Sequence, residues 1–187
     1  MDQRGLVERA AKGDHDAFAA LAPAVYPRLS GVAQLILRDR ELARDAVQES
    51  LIRAWRDLPG LRDPDRFDAW LHRLVVRTSL NLIRHRRHRP IEIEIQQLTT
   101  PSVEDESGHI ADREAIDEGL RGLPPEWRAI VVLHYYVGLS LPETARALDL
   151  PVGTVKSRLH RSLATMRDAI GLDEPTIRAQ VPRGQTA

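Results

Sequence analysis

The chain has 187 residues, 42% of them hydrophobic and only 4% aromatic, enough for one modest core or two small ones. Its 27 basic residues are balanced by 27 acidic ones, so net charge excludes no class of partner and the distribution of charge carries the information. It has no cysteine, which excludes disulfides and thiolate metal sites; no apolar run approaches the roughly 20 residues that cross a bilayer, and MDQRGLVERAAKGD lacks the apolar centre of a signal peptide, so a soluble, cytoplasmic protein without membrane insertion is expected.

Helical periodicity runs through the chain, and strand-like alternation is confined to IEIEI, Ile91 to Ile95. The prediction is an all-α protein: two small helical domains, 1–89 and 112–172, joined by a flexible acidic linker, 90–111, and followed by a tail, 173–187. Asp14 can cap a helix carrying Phe18, Leu21, Val25, Leu29, Val32 and Ile36 on one side, bent or interrupted by Pro23 and Pro27. A second helix, from about Glu41 to Arg56, would bury Leu42, Ala46, Val47, Leu51 and Trp55. Its outer row is Asp45, Gln48, Glu49 and Ile52. An exposed isoleucine among acids and an amide fits a protein-binding surface of opposite charge, and equally a solvated face.

DLPGLRDPD, Asp57 to Asp65, is a loop by its Pro, Gly and Asp content. The long helix after it, to about His88, has Phe67, Trp70, Leu71, Leu74 and Thr78 as its apolar stripe. The other side reads Arg73, Arg77, Asn81, Arg84 and His88 and ends in RHRRHR. A row of one sign suits a phosphate backbone, with Asn81 able to bond a base edge, whereas solubilising faces usually mix signs. Arginine neighbours of His85 and His88 would repel a metal cation, and no cofactor is expected. From Arg66 to Arg89 there are seven arginines against Asp68, and from Ile91 to Glu118 nine acids against Arg113, so a basic element stands next to an acidic one.

After the linker come a short helix near Arg113 to Arg121, a helix opened by PPEW, and a pair of helices. Ser140 followed by Glu143 is a capping-box pattern, starting a helix at Leu141 that runs to about Leu148. Asp149 occupies a tight turn, Pro151 bars continuation, and Thr154 can cap a second helix with the stripe Val155, Leu159, Leu163, Met166 and Ile170. The opposite face carries Lys156, Ser157, His160 and Arg161. This is a helix-turn-helix pattern whose second helix fits the major groove, where Lys and Arg donate to guanine and Thr154 and the helix start can meet a phosphate.

Three segments resemble the bacterial sigma-70 factors, specifically the short extracytoplasmic-function (ECF) group: RELARDAVQESLIRAWR, RFDAWLHRLVVRTSLNLIRHRRHR, and LPPEWRAIVVLHYYVGLSLPETARALDLPVGTVKSRLHRS. The resemblance implies a transcription initiation factor with no covalent chemistry of its own, which binds core RNA polymerase and directs it to promoters. Asp45, Gln48, Glu49 and Ile52 would dock on the clamp helices of the β′ subunit, and the second domain on the β flap. The loop Leu58 to Arg66 would capture a flipped non-template base, with Arg62, Arg66, Arg73, Arg77, Asn81 and Arg84 contacting the minus-ten DNA. Thr154, Lys156, Ser157, Arg158, His160 and Arg161 would read the minus-thirty-five element, and the acidic linker would thread toward the RNA exit channel. An anti-sigma protein is an expected partner. Two residues depart from the family pattern: Arg77 where Asn is common, and Asp149 where Gly is usual.

Two other readings compete. A regulator of the LuxR kind has a similar reading helix but would need a sensing domain, commonly α/β, which the first ninety or so residues do not suggest. A helical hydrolase or metal enzyme would need an H-E-x-x-H, phosphate-loop or nucleophile motif, and none is present.

Overall fold

The computed structural model describes residues 2–87 and 110–171, and among them all regular structure is helical. The helices are α1 (Gln3–Ala11), α2 (His15–Leu37), α3 (Arg40–Asp57), α4 (Phe67–Arg87), α5 (Ile110–Arg121), α6 (Pro125–Val131), α7 (Leu141–Leu148) and α8 (Val152–Ala169). Most of the predicted linker, the tail, IEIEI and His88 lie outside the described residues.

Asp14 caps α2 as predicted, accepting from the Ala17 N–H at 3.0 Å. Of the two expected effects of Pro23 and Pro27, interruption does not occur: α2 runs unbroken through both. Each proline frees the carbonyl four residues earlier, and both prolines and the carbonyl-bearing Ala19 lie on the exposed side, where water can hold those oxygens. Leu21, Val25, Leu29, Val32 and Ile36 anchor the other side in the core. By length and composition alone α2 could cross a membrane, a second departure from the sequence reading; here that apolarity serves as the centre of a bundle packed by α1, α3 and α4.

The polar start of the chain forms α1, which periodicity did not reveal, and Val7 and Ala10 seat it on α2. On α3 the buried stripe is Ala43, Ala46, Val47, Ser50 and Ala54, one position round from the predicted Leu42, Leu51 and Trp55, which are only half-buried. Small residues let the helix axes approach closely, and the larger side chains flank the contact. Trp55 packs against His15 and Phe18, ring centroids 4.4 and 5.2 Å away. On α4 the core contacts are Phe67, Leu71, Val75, Val76 and Leu80, with Trp70 and Leu74 at the margin. Full burial of a side chain such as Phe67 contributes about 1.5–3 kcal/mol.

Leu120, Leu123, Ile130, Val131, Ala145, Val155 and Leu159 make a second core under α8. α5 begins at Ile110, three residues before its predicted start. α6 runs on through a π-helical turn, Val132–Tyr136, after which Gly138 takes the left-handed backbone (φ 81°) that reverses the chain. The two halves are in contact: Ala129, Val132, Leu133 and Ala147 belong to the core of the first.

Candidate nucleic-acid and polymerase interfaces

α7 starts at Leu141 and ends at Leu148 as predicted. The Ser140 hydroxyl accepts from the Glu143 N–H at 3.4 Å, and the Glu143 carboxylate accepts from the Ser140 N–H at 3.0 Å and from its hydroxyl at 2.6 Å. Bonds from the Ser140 hydroxyl and then its backbone hold the Glu143 carboxyl below its ordinary value. The helix stops at Asp149, left-handed at φ 57°, an unusual position for a residue with a side chain but one that Asp tolerates better than most.

Thr154 does not cap α8. The helix begins two residues earlier, at Val152, with Pro151 in extended backbone at the N-cap position and no side chain capping it. The first-turn N–H groups therefore have no capping side chain, which suits a phosphate. Val155 and Leu159 face the core, while Lys156, Ser157, His160 and Arg161 are exposed and Thr154 and Arg158 are half-buried. Lys156 with His160, and Ser157 with Arg161, are pairs four residues apart, forming two adjoining rows. From Lys156 to Arg161 the helix rises about 7.5 Å, roughly two base-pair steps. The Ser157 hydroxyl donates to the Thr154 carbonyl at 3.0 Å, leaving its lone pairs outward.

On α3, Asp45, Gln48 and Ile52 are exposed, with Ile52 56% accessible. Glu49 is half-buried and its carboxylate is bonded by Arg53 one turn on. The four residues lie on the face turned away from α2 and α4.

The loop before α4 is ordered by two short 3-10 turns, Leu58–Gly60 and Pro64–Arg66. Leu58 is fully buried and pins one end; the Asp63 carboxylate accepts from the Asp65 N–H at 3.1 Å at the other. α1 holds the loop from outside, with Arg4 paired to Asp65 at 2.8 Å and Gln3 donating to Asp68 at 3.0 Å. Arg62 and Arg66 are exposed, Arg66 with a partner in Asp63 at 3.3 Å. The basic row of α4 is differentiated: Arg84 donates to Asn81 at 3.1 Å, Arg86 pairs with Asp39 at 3.0 Å, and exposed Arg77 donates from Nε to the Ala147 carbonyl at 3.2 Å. Arg73 is half-buried with its Nε unpartnered; burial, then Arg77 and Arg146, push its pKa down. Among the described residues no cluster of potential metal ligands occurs.

Three residues that periodicity did not single out join the halves. Arg38 grips Asp117 through both carboxylate oxygens, at 2.6 and 3.0 Å, and through its carbonyl at 2.9 Å. Arg128 lies buried nearby, its pKa pushed down to about 10 by burial and then by Arg38. Asp117 sits within an acidic run and Arg128 within an amphipathic helix, so neither shows a distinguishing pattern in the sequence.

Residues 21–89 match the family described as Sigma-70 region 2, and residues 113–166 match Sigma-70, region 4. Among curated proteins, the chain is 36% identical over 138 residues to the RNA polymerase sigma-E factor of Streptomyces avermitilis, covering 74% of this chain and 76% of that one. It is 29% identical over 175 residues to the ECF RNA polymerase sigma factor SigW of Bacillus subtilis, covering 86% and 92%. Among solved structures it resembles CnrH in complex with the cytosolic domain of CnrY, at a TM-score of 0.64 and 27% identity over 91% of this chain and 98% of that one. The fold is also that of RpoE from Bartonella quintana, crystallised with the anti-sigma factor NepR, at a TM-score of 0.69 and 21% identity over 83% and 98%. Two family regions in order, on a bundle followed by a helix-turn-helix, leave one reading: the chain belongs to the sigma-70 family as an ECF-type sigma factor, which binds core RNA polymerase and directs promoter-specific transcription initiation.

Proposed function

We propose that the three exposed faces divide the work of initiation among them. Asp45, Gln48, Glu49 and Ile52 on α3 dock on the β′ clamp helices, and residues 112–172 sit at the β flap. Arg62 and Arg66 in the loop, with Arg73, Arg77, Asn81 and Arg84 on α4, take the minus-ten strand. Thr154, Lys156, Ser157, Arg158, His160 and Arg161 meet the minus-thirty-five duplex. Residues 1–89 and 112–172 act as separate working domains joined by the 90–111 segment, and the factor works in the cytoplasm without catalysing a reaction.

The observation that carries this reading is the face of α8. Four hydrogen-bonding side chains, Lys156, Ser157, His160 and Arg161, stand exposed in two rows behind an uncapped helix start, while Val155 and Leu159 fix the other side in the core. Base contacts of this kind specify sequence and phosphate contacts set register. Melting costs a few kcal/mol for each unstacked step, offset by capture of extruded bases, so promoter opening requires the polymerase. An anti-sigma protein is the natural inhibitor, in keeping with the complex of Bartonella RpoE with the anti-sigma factor NepR.

Photocrosslinking tests the division directly. A benzophenone amino acid at position 52, 77 or 160, in holoenzyme on promoter DNA, is expected to reach β′, the non-template strand and the upstream duplex respectively. Crosslinks from position 52 to DNA, or from 160 to β′ alone, would contradict it.

A further inference from the structure

The loop assigned above to base capture is held largely from outside itself. Leu58 is its one buried residue; Arg62, Asp63, Asp65 and Arg66 are exposed, and each of its two 3-10 turns has three residues. Such turns close with poorer hydrogen-bond geometry than an α-helical turn, so they do little to fix side chains by themselves. α1 supplies further contacts. It packs against both turns, the Arg4 Nη1 donates to the Asp65 carboxylate at 2.8 Å, and the Gln3 amide donates to Asp68, in the first turn of α4, at 3.0 Å. Arg28 of α2 approaches the same Asp68 oxygen at 3.6 Å. The end of the loop and the start of α4 are thereby tied to two other helices.

α1 contributes little to the core. Its nine residues are too few for a stable isolated helix, and Val7 and Ala10 are the ones buried. Its polar side chains are nonetheless organised. Arg9 ties the far end to Asp14, the cap of α2, at 2.8 Å, and the Arg4 Nε donates to Glu8 at 3.1 Å, which orients the guanidinium so that Nη1 meets Asp65. The match to Sigma-70 region 2 begins at residue 21, after α1. Arg4 and Asp65 are 58% and 64% exposed, and an ion pair so exposed adds little to stability. Its effect lies in position and charge. Asp63 and Asp65 are carboxylates in a loop assigned to an anionic strand; Arg66 pairs with Asp63 at 3.3 Å and Arg4 with Asp65. Without Arg4, the Asp65 carboxylate would stand next to Arg66 in the chain and compete with strand phosphates for it.

We propose that α1 is a positioning element for strand reading: Arg4, acting through Asp65, and Gln3, acting through Asp68, hold the loop in the form that selects the extruded base. The inference rests on the base-capture reading of that loop given above. Arg4 is a positioning residue, because its guanidinium is engaged by Glu8 and Asp65. Its loss therefore relaxes which base is taken more than how much strand is bound.

In the test, holoenzyme assembled from core polymerase and the full chain is given a single-stranded DNA library of randomised sequence, and the captured strands are sequenced. The parent is expected to enrich a preferred base. Arg4→Gln should lower that preference by at least about threefold while total strand binding changes by less than about twofold. The melting temperature of the free protein should move by less than about 4 °C, as expected for an exposed pair. Asp65→Asn should reproduce the loss of preference from the other side of the pair, and the double variant should be no worse than either single change. An unchanged preference in Arg4→Gln, or losses that add in the double variant, would overturn the proposal. Equal weakening on all sequences would also overturn it, by making Arg4 a phosphate contact. If the parent enriches no base, the base-capture reading of the loop falls and this proposal with it; a selective parent with an unaffected Arg4→Gln overturns this proposal alone.

Discussion

Within α4, the ring Nδ1 of His72 donates to the carbonyl oxygen of Asp68, 2.7 Å away; because a carbonyl can only accept, the proton is on that nitrogen in the neutral ring. Burial pushes the His72 pKa down, against the smaller raising effects of the Asp68 carbonyl and carboxylate, while Arg28 adds to the lowering. The folded protein therefore binds this proton less readily than the unfolded chain. Stability is complete above the unfolded value of about 6.5 and is lost as pH falls from there through the lower folded value. The melting temperature should fall between pH 7 and pH 5, and His72→Gln should flatten that slope. An unchanged slope would show that His72 is not the group responsible.

Asp117 carries a second pH dependence in a separate range. Burial opposes its charge, but the bonds from Arg38 and then Arg121 outweigh it and hold the carboxyl below its ordinary value. Its contribution is present above the unfolded value of about 3.9 and is lost as pH falls through the folded one. In acid titration followed by energy transfer between the two halves, opening should occur below about pH 4 and should move with Asp117→Asn, which has no such titration.

Ser140→Ala removes one partner of the capping box on a helix of only eight residues. The expected cost is about 1 kcal/mol, read as a lower urea midpoint with unchanged slope. Upstream-element binding by holoenzyme should weaken in parallel, because α7 supports the position of α8. Stability equal to the parent would mean that the cap seen here is not used in solution.

Reversing both carboxylates of the α3 face, Asp45→Arg with Glu49→Arg, should weaken core polymerase binding by at least about tenfold, some 1.4 kcal/mol, with helical content unchanged. Fluorescence titration against sigma-free core checks this. Equal affinity would remove these residues from the docking surface.

On α8, Lys156→Ala and Arg161→Ala distinguish base from phosphate contacts. A base contact should cost about 1–3 kcal/mol on the cognate upstream element and little on scrambled duplex; a phosphate contact should weaken both alike and reduce the salt dependence. The comparison is made with holoenzyme at fixed ionic strength.

Local signals were legible where one short stretch determines the outcome. The capping box places α7 to the residue, and the alternation of Val155 and Leu159 with Lys156, His160 and Arg161 marks the exposed face of α8. Packing decided the rest. The α3 stripe is shifted because close helix contact selects Ala43 and Ala54 over the larger Leu42 and Trp55, a choice that hydrophobicity alone does not rank. Pro23 and Pro27 read as a bend or an interruption, and that the helix runs on through them depends on their exposure, which is a property of the bundle. Arg77 read as one member of a DNA-facing row, and its bond to Ala147, 70 positions away, has no local signature. The same holds for Arg38 and Asp117, 79 positions apart.

The most direct measurement is run-off transcription with the purified protein, sigma-free core RNA polymerase and fragmented genomic template, mapping the starts. The account predicts initiation at discrete sites that share an upstream and a downstream motif, with Arg77→Asn altering the downstream one and Lys156→Ala the upstream one. Absence of transcripts from a protein that binds duplex promoter without polymerase would contradict it.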